Sequence, residues 1–357
     1  MVKTIRKTGY RRDAWIEINL ANLEYNLKTI YSQFRKPIIP ILKADAYGHG
    51  ATVLVKILDT YEFVHGYGVA SIDEALVLRE VTTKTIIVLG ISPEWAWTQA
   101  LEHDIDMTIV DYQSALRLNE LAKEQQKRAK VHIKIDTGMN RIGFKYADRE
   151  NLLKLPHLDN LEVCSVFTHF SDASDMDYSL YQYQQFRTIS EGLKCAKHPA
   201  SSQAAKIIPD LECDYLRCGI ELYGLENPEL KPLLALYSRI SFIKEIERGE
   251  SVSYKRSWTS DKATRIATLP LGYADGVPRA LSNKIYGYCK GHKLKQVGLV
   301  TMDQMMFDIE DYDIGVGDII ELIGPQVPVS DWAKAAATIT YEIVCGLNLR
   351  LPKSYVR

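Results

Sequence analysis

From about residue 36 to 225, short apolar runs alternate with amphipathic stretches, and this rhythm limits the fold more than any other feature of the chain. PIIPILKA is a buried-strand pattern ending at Lys43. YGVASI followed by DEALVLREV reads as strand then helix, and TIIVLG precedes PEWAWTQALEHD. DMTIV precedes DYQSALRLNELAKEQQKRA, whose apolar residues fall at helical spacing. VHIKIDTG, EVCSVFTHF and DYLRCGIELYG continue the series. Such alternation predicts βα units and a parallel sheet. About eight units fit the length, which favours a closed (β/α)8 TIM barrel over an open sheet. Lys43, His169 and Arg217 stand at or next to strand ends, and Arg141 just beyond one. In a barrel the C-terminal strand ends gather on one face, where active sites form.

After about residue 230 the texture changes. SRISFIKEI, ESVSY, ATRIATLPLGY, QVGLVTMDQMMFDI and DIIELIG are short, often alternating runs separated by turn residues. They predict a small, mostly antiparallel β-domain. The expected division is a basic leader over 1–14, a barrel over 15–230 and a β-domain over 231–357. WIEINL near the start is a further strand candidate.

The formal net charge of −1 gives no sign of a nucleic-acid partner. The six cysteines are scattered without C-x-x-C or metal-ligand spacing, so reduced thiols, no metal and a cytoplasmic protein are expected. No apolar run approaches the length of a membrane span. The first twelve residues carry Lys3, Arg6, Lys7, Arg11 and Arg12 with no acid, and lack the apolar core of a signal peptide.

The stretch ILKADAYGHG, from Ile41 to Gly50, carries the most chemistry. A lysine at the end of an apolar strand is carried from core to pocket. Desolvation there lowers an ammonium pKa and gives an amine suited to Schiff-base chemistry. From position alone, a plain surface lysine is the commoner outcome. The whole string, however, resembles the cofactor-lysine motif of the alanine racemase family, a group of enzymes dependent on pyridoxal 5'-phosphate (PLP). VHIKIDTGMNRIGF (Val131–Phe144), THF (Thr168–Phe170), RCGIELYG (Arg217–Gly224), VSY (Val252–Tyr254), PLGYADG (Pro270–Gly276) and TMDQ (Thr301–Gln304) resemble further family blocks, in family order.

The resemblance implies a barrel followed by a β-domain, a homodimer with shared active sites, and racemisation of a small L-amino acid. It assigns Lys43 to PLP and to one face of the substrate Cα, and Tyr254, lent by the partner subunit, to the other. A phenol near pKa 10 is a poor base at neutral pH and needs a cationic neighbourhood. His169 and Arg217 resemble the family residues that supply it, and Arg217 also faces the pyridine nitrogen. Tyr47, Ser202, Gly219 and Ile220 are implied as phosphate ligands, and Arg141 and Met302 as flanking the substrate carboxylate. Tyr273 matches a tyrosine lining the access corridor, and Lys134 a lysine that can be carbamylated.

Two departures point further. Near the C-terminus, Asn348 and Leu349 stand where many family members carry a tyrosine, and Leu299 where many have arginine. An asparagine there adds space and a partner for a hydroxyl, which suits serine as well as alanine. The basic leader resembles the cytoplasmic flank of a membrane helix. Together these resemble the catalytic half of the membrane-bound serine/alanine racemases of vancomycin resistance, the VanT type. The competing readings are a barrel-type PLP decarboxylase, which would carry a carboxylate at the pyridine nitrogen, and a non-catalytic PLP-binding protein without a β-domain.

Overall fold

A computed structural model describes residues 12–208, 210–347 and 350–357. The first strand, β1 (Ala14–Asn19), alternates buried and half-buried residues. Eight short parallel strands follow: β2 (Ile38–Pro40), β3 (Gly66–Val69), β4 (Thr85–Val88), β5 (Asp106–Ile109), β6 (Ala129–Lys134), β7 (Leu161–Phe167), β8 (Ala196–His198) and β9 (Leu216–Cys218). β3 through β8 pair in sequence order, and β2 pairs with β9 in parallel, Ile38 opposite Leu216 and Pro40 opposite Cys218. Bridges from Ile38 to Val64 and from Ile41 to Gly68 join β2 to β3, and Ser201 to Arg217 joins the end of β8 to β9. The ring is therefore a closed (β/α)8 barrel. Its central strands are buried on both faces, as in β3 (GYGV) and β5 (DMTI), which is why they read as continuous runs. A bulge between Val131 and His132 puts His132 opposite Ser165 on β7 and leaves Cys164 as the extra residue.

After β2 the backbone does something the sequence does not announce. Ala44, Asp45, Ala46 and Tyr47 all hold φ between 53° and 55°, a single left-handed helical turn. Left-handed helix costs L-residues roughly 1–2 kcal/mol each. Two carboxylates offset this. Glu74 accepts from the amides of Ala44 and Ala70, each at 2.8 Å, and Asp45 accepts from Ala51 N at 2.8 Å. Glu74 sits in the first turn of helix Ile72–Arg79, capped by Ser71.

The strands after the barrel are β10 (Leu234–Arg239), β11 (Phe242–Ile246), β12 (Ser251–Val252), β13 (Trp258–Thr259), β14 (Thr264–Leu269), β15 (Tyr286–Cys289), β16 (His292–Val297), β17 (Met305–Asp308), β18 (Ile319–Ile323) and β19 (Lys353–Val356). Nine strands form one sheet in the order β11-β14-β17-β16-β15-β18-β10-β1-β19. It is antiparallel except for β1 beside β19, and β10 shows the alternation of a sheet with one wet face. Ile246, Val252, Ile266 and Val297 make a local core under Trp258 and Met306. Two short helices, Val329–Ala336 and Thr340–Gly346, add to this mostly antiparallel unit.

The expected start of the barrel at residue 15 is corrected by β1. It pairs with β10 in the register Ile16–Leu236, so the compact unit built on the nine-stranded sheet takes the chain through Leu23, with Tyr47–His49 and Tyr223 onward. The other unit is Glu24–Ala46 with Gly50–Leu222. Arg12, counted with the basic leader, belongs to the fold. Its guanidinium pairs at 2.6 Å with Asp275, a carboxylate buried completely, and also donates to Pro270 O. The rest of the leader (Lys3, Arg6, Lys7, Arg11) lies outside the described residues. Among the described residues, no helix is long and apolar enough to cross a membrane.

The left-handed turn generates a test. Ala44→Gly is expected to raise stability by about 1 kcal/mol, because glycine meets no Cβ penalty at φ 53°. Glu74→Ala is expected to lower it by about 2 kcal/mol through two lost charge-assisted hydrogen bonds. Urea unfolding measures both, and a destabilised Ala44→Gly would contradict the conformation.

Candidate active site

Five basic side chains gather around the C-terminal ends of the barrel strands. Lys43 follows β2, Lys134 ends β6, Arg141 lies in the loop after β6, His169 follows β7 and Arg217 is on β9. Lys134 is buried, and its pKa is pushed well below the ordinary lysine value by burial first, then by Arg217 and Arg141. His169 falls to about 3 through burial, then Arg217, Lys134, Arg141 and Lys43. Each cation is thus felt by its neighbours, and Asp136 is the one acid that counters them at Lys134. Lys43 itself is exposed, so the expected desolvation of this amine is not what the structure shows. It stands between the buried Ile41 and Leu42 and the left-handed turn that begins at Ala44.

The loop bearing Arg141 is closed by pairing of Ile135 with Phe144. Inside it Asp136 accepts from Gly138 N at 3.0 Å and Asn140 N at 2.9 Å. Gln182, from the helix Met176–Ser190, donates to Thr137 and to the His169 carbonyl and accepts from Ser171 N. These bonds fix the segments on either side of Arg141 and His169.

Arg217 is the most constrained of the five. One terminal nitrogen donates to the carbonyl of His198 and, at 3.0 Å, to His198 Nδ1. The other donates to Thr168 O at 2.7 Å and Pro199 O at 3.3 Å. Among the described residues no group accepts from its Nε–H. Burial pulls its pKa down to about 9, which leaves it cationic at neutral pH.

Ser202 and the Gly219–Ile220 step follow β8 and β9, the adjacent strands joined by the Ser201–Arg217 bridge. Ser202 and Ile220 are buried. Tyr47 belongs to the other compact unit, where its ring packs against Tyr223 and Tyr341 at 4.9 and 6.0 Å between centroids.

In that sheet unit three expected site residues stand exposed on joined loops. Tyr254 is 70% exposed, Met302 53% and Tyr273 43%. Ser253 Oγ donates to Leu299 O at 2.8 Å. Tyr273 N donates to Thr301 O and Ala274 N to Met302 O, each at 2.9 Å. A Cβ on Gly272 would lie 2.2 Å from Thr301 O, so only glycine lets these loops meet. Tyr254 is flanked by left-handed residues, Ser253, Lys255 and Arg256. Non-glycine residues in that region concentrate where function requires a set geometry. Asn348 and Leu349 lie outside the described residues.

Sequence reasoning missed Glu74, Asp136, Gln182 and His198. For His132, Lys134 and Asp136 a signal existed: they alternate through HIKID, and alternate residues of a strand share a face. His198 had none, since β8 (AKH) has no apolar run.

Residues 18–227 match the family model "Alanine racemase, N-terminal domain", and residues 233–355 match "Alanine racemase, C-terminal domain". The chain is similar to an alanine racemase of Clostridium kluyveri, 37% identical over 97% of this chain and 95% of that protein. The solved alanine racemase of Clostridium difficile 630 superposes with a TM-score of 0.92 at 34% identity, covering 98% of this chain and 97% of that one. A solved alanine racemase from Bartonella henselae, with covalently bound pyridoxal phosphate, gives 0.88 at 28% identity over 96% and 99%.

The depressed histidines predict a pH dependence. His169 drops from 6.5 to about 3, and His198 drops in the same direction, both chiefly by burial. Below pH 6.5 the unfolded chain takes up protons that the folded one refuses, so stability falls as pH falls. The slope is about 1.4 kcal/mol per pH unit for each such group. Urea unfolding between pH 7.5 and 5 should show this, with a shallower slope in His169→Asn. An unchanged slope in that variant would refute the assignment.

Proposed function

The chain belongs to the alanine racemase family, and on that premise we propose that it interconverts L- and D-alanine by moving one proton between the two faces of Cα. It is a PLP-dependent isomerase. The observation that carries this reading is the basic cluster at the strand ends, which holds one countering acid near Lys134 and an arginine whose Nε–H is left over for a ligand. An anionic cofactor with a ring-nitrogen acceptor fits such a site.

Bound PLP supplies an electron sink that acidifies the Cα–H of an attached amino acid. The chain's own residues do the rest. Lys43 holds the cofactor and exchanges a proton with Cα through Nζ. Arginine only donates, so Arg217 would leave the ring nitrogen of bound PLP unprotonated and the sink weak, which would favour return of the proton to Cα. Tyr47, Ser202 and the amides of Gly219 and Ile220 bind the phosphate. Arg141, and Met302 through its main chain, flank the substrate carboxylate. Lys134, driven toward the neutral amine, can add CO2 and lose a proton to become a carbamate beside Arg141.

Inversion needs a second proton-handling group on the opposite face. Tyr254 takes this role in the active site of a second copy of the chain, with His169 and Arg217 of that site supporting its phenolate. The exposure of Tyr254, Tyr273 and Met302 supports a homodimer with shared sites. Serine is a second substrate in this reading, on the strength of Asn348 and Leu349 standing in the region where many family members carry a tyrosine. The product serves cell-wall peptidoglycan precursors in the cytoplasm, and the basic leader is the feature that favours a membrane-tethered form.

Chiral analysis of products from pure L-alanine and pure L-serine tests the substrate. Tyr254→Phe is expected to cut racemisation at least about a thousandfold while the protein stays yellow with bound cofactor. Lys43→Ala is expected to lose the covalent link, seen by borohydride reduction and mass spectrometry. Intact racemisation in both directions by Tyr254→Phe would refute the second proton-handling group. CO2 release from ornithine, arginine or diaminopimelate would instead favour a decarboxylase.

A further inference from the structure

Behind Arg217 a row of polar side chains crosses the barrel interior from strand to strand. Asp106 is on β5, His132 on β6, Ser165 on β7, His198 on β8 and Arg217 on β9. All five are buried, between 0% and 4% exposed. The spacings are 3.0 Å from Arg217 to His198 Nδ1, 2.7 Å from His198 Nε2 to Ser165 Oγ, 2.5 Å from Ser165 Oγ to His132 Nδ1, and 2.9 Å from His132 Nε2 to Asp106 Oδ2.

The protons on this row can be placed by elimination. Arginine has no acceptor, so His198 Nδ1 must accept, and its proton sits on Nε2. Nε2–H then donates to Ser165 Oγ. The serine hydroxyl has one proton, which goes to His132 Nδ1. The proton of His132 is therefore on Nε2 and donates to Asp106 Oδ2. Every bond runs one way, from a guanidinium to a carboxylate. Among the described residues Arg217 forms no ion pair, so Asp106 is a counter-charge delivered through three neutral groups.

We propose that Asp106, His132, Ser165 and His198 are positioning residues that fix the His198 tautomer and so hold the Arg217 guanidinium with its Nε–H free for the pyridine nitrogen of PLP. The inference rests on the function proposed above. Were His198 in its other tautomer, Nδ1–H would face a guanidinium N–H, donor against donor, and the arginine would turn away. The five residues come from five consecutive strands: His132 stands directly opposite Ser165, while Asp106 lies two residues before Thr108, the register partner of His132, and His198 two residues beyond Ala196, the register partner of Ser165, so the period of two keeps them on one face. Cys164 Sγ, on the bulge, lies within 4.8 Å of the His132 and Asp106 donor atoms. A metal there would need a His132 nitrogen, and both of them are used in the row of hydrogen bonds.

The test uses the holoenzyme loaded with PLP labelled with 15N in the ring. Ser165→Ala cuts the wire in the middle, and Asp106→Asn keeps its shape but removes the charge. Each is expected to shift the ring 15N resonance and to lower kcat about tenfold with KM within about twofold, the scale on which residues that orient a ligating group act. Ser165→Ala is also expected to raise the fraction of turnovers ending in pyridoxamine phosphate. In the double variant Asp106→Asn should add nothing, because the path is already broken. If Ser165→Ala fails to fold, Asp106→Asn is read on the same resonance. An unmoved resonance, additive effects in the double variant, or one tightly bound metal per chain that is lost in Cys164→Ser would each overturn the proposal. Absence of racemisation by the wild type would refute the proposed function instead, and the resonance would still judge the wire.

Discussion

A guanidinium buried with no carboxylate beside it is an expensive object, and much of the barrel is arranged around keeping one. Isolated buried charge is strongly unfavourable unless hydrogen bonds replace the lost water. Arg217 meets that condition through the carbonyls of Thr168, His198 and Pro199, the chain ends of β7 and β8. Those carbonyls converge only because the strands are parallel and closed into a ring. The same convergence, after burial itself, lets Arg217 and Arg141 depress the protonation of both Lys134 and His169, and Lys134 that of His169. A site built in this way is strongly electropositive, which suits the anionic cofactor of a PLP-dependent family.

The architecture was legible where physics is local. Strands buried on both faces read as apolar runs, and the change to alternating runs after residue 230 marked the change of sheet type. Legibility failed where partners are distant in sequence. β1 has an unambiguous strand pattern, yet nothing in AWIEIN says that its neighbours are β10 and β19 rather than a barrel strand. β8 is three residues with one apolar member, and its existence follows from its neighbours' register rather than from its own composition. The helices Val329–Ala336 and Thr340–Gly346 were lost among strands because each spans about two turns or fewer.

The candidate residues divide in the same way. Lys43, His169 and Arg217 were found because they stand at or beside strand ends, and strand ends can be read from hydrophobicity. Their electrostatic surroundings could not be read, since these depend on which ends face inward. Lys43 is the instructive case. An apolar run followed by lysine suggests a desolvated amine, but Lys43 is exposed, directly before a turn of unusual hand. Glu74, thirty residues on, holds that turn, and no spacing rule links the two. Arg12 shows the converse. It looked like one charge among several in a loose leader, and it neutralises the most deeply buried carboxylate of the sheet unit.

The left-handed turn after β2 has a consequence for chemical synthesis of the protein. Dihedral angles near +53° and +50° are the mirror image of ordinary helix, and therefore the comfortable region for residues of D configuration. A semisynthetic chain carrying D-alanine at positions 44 and 46 would hold its backbone here with less strain than the natural one does. The segment that follows Lys43 is thus built, residue by residue, in the handedness its L-amino acids least prefer.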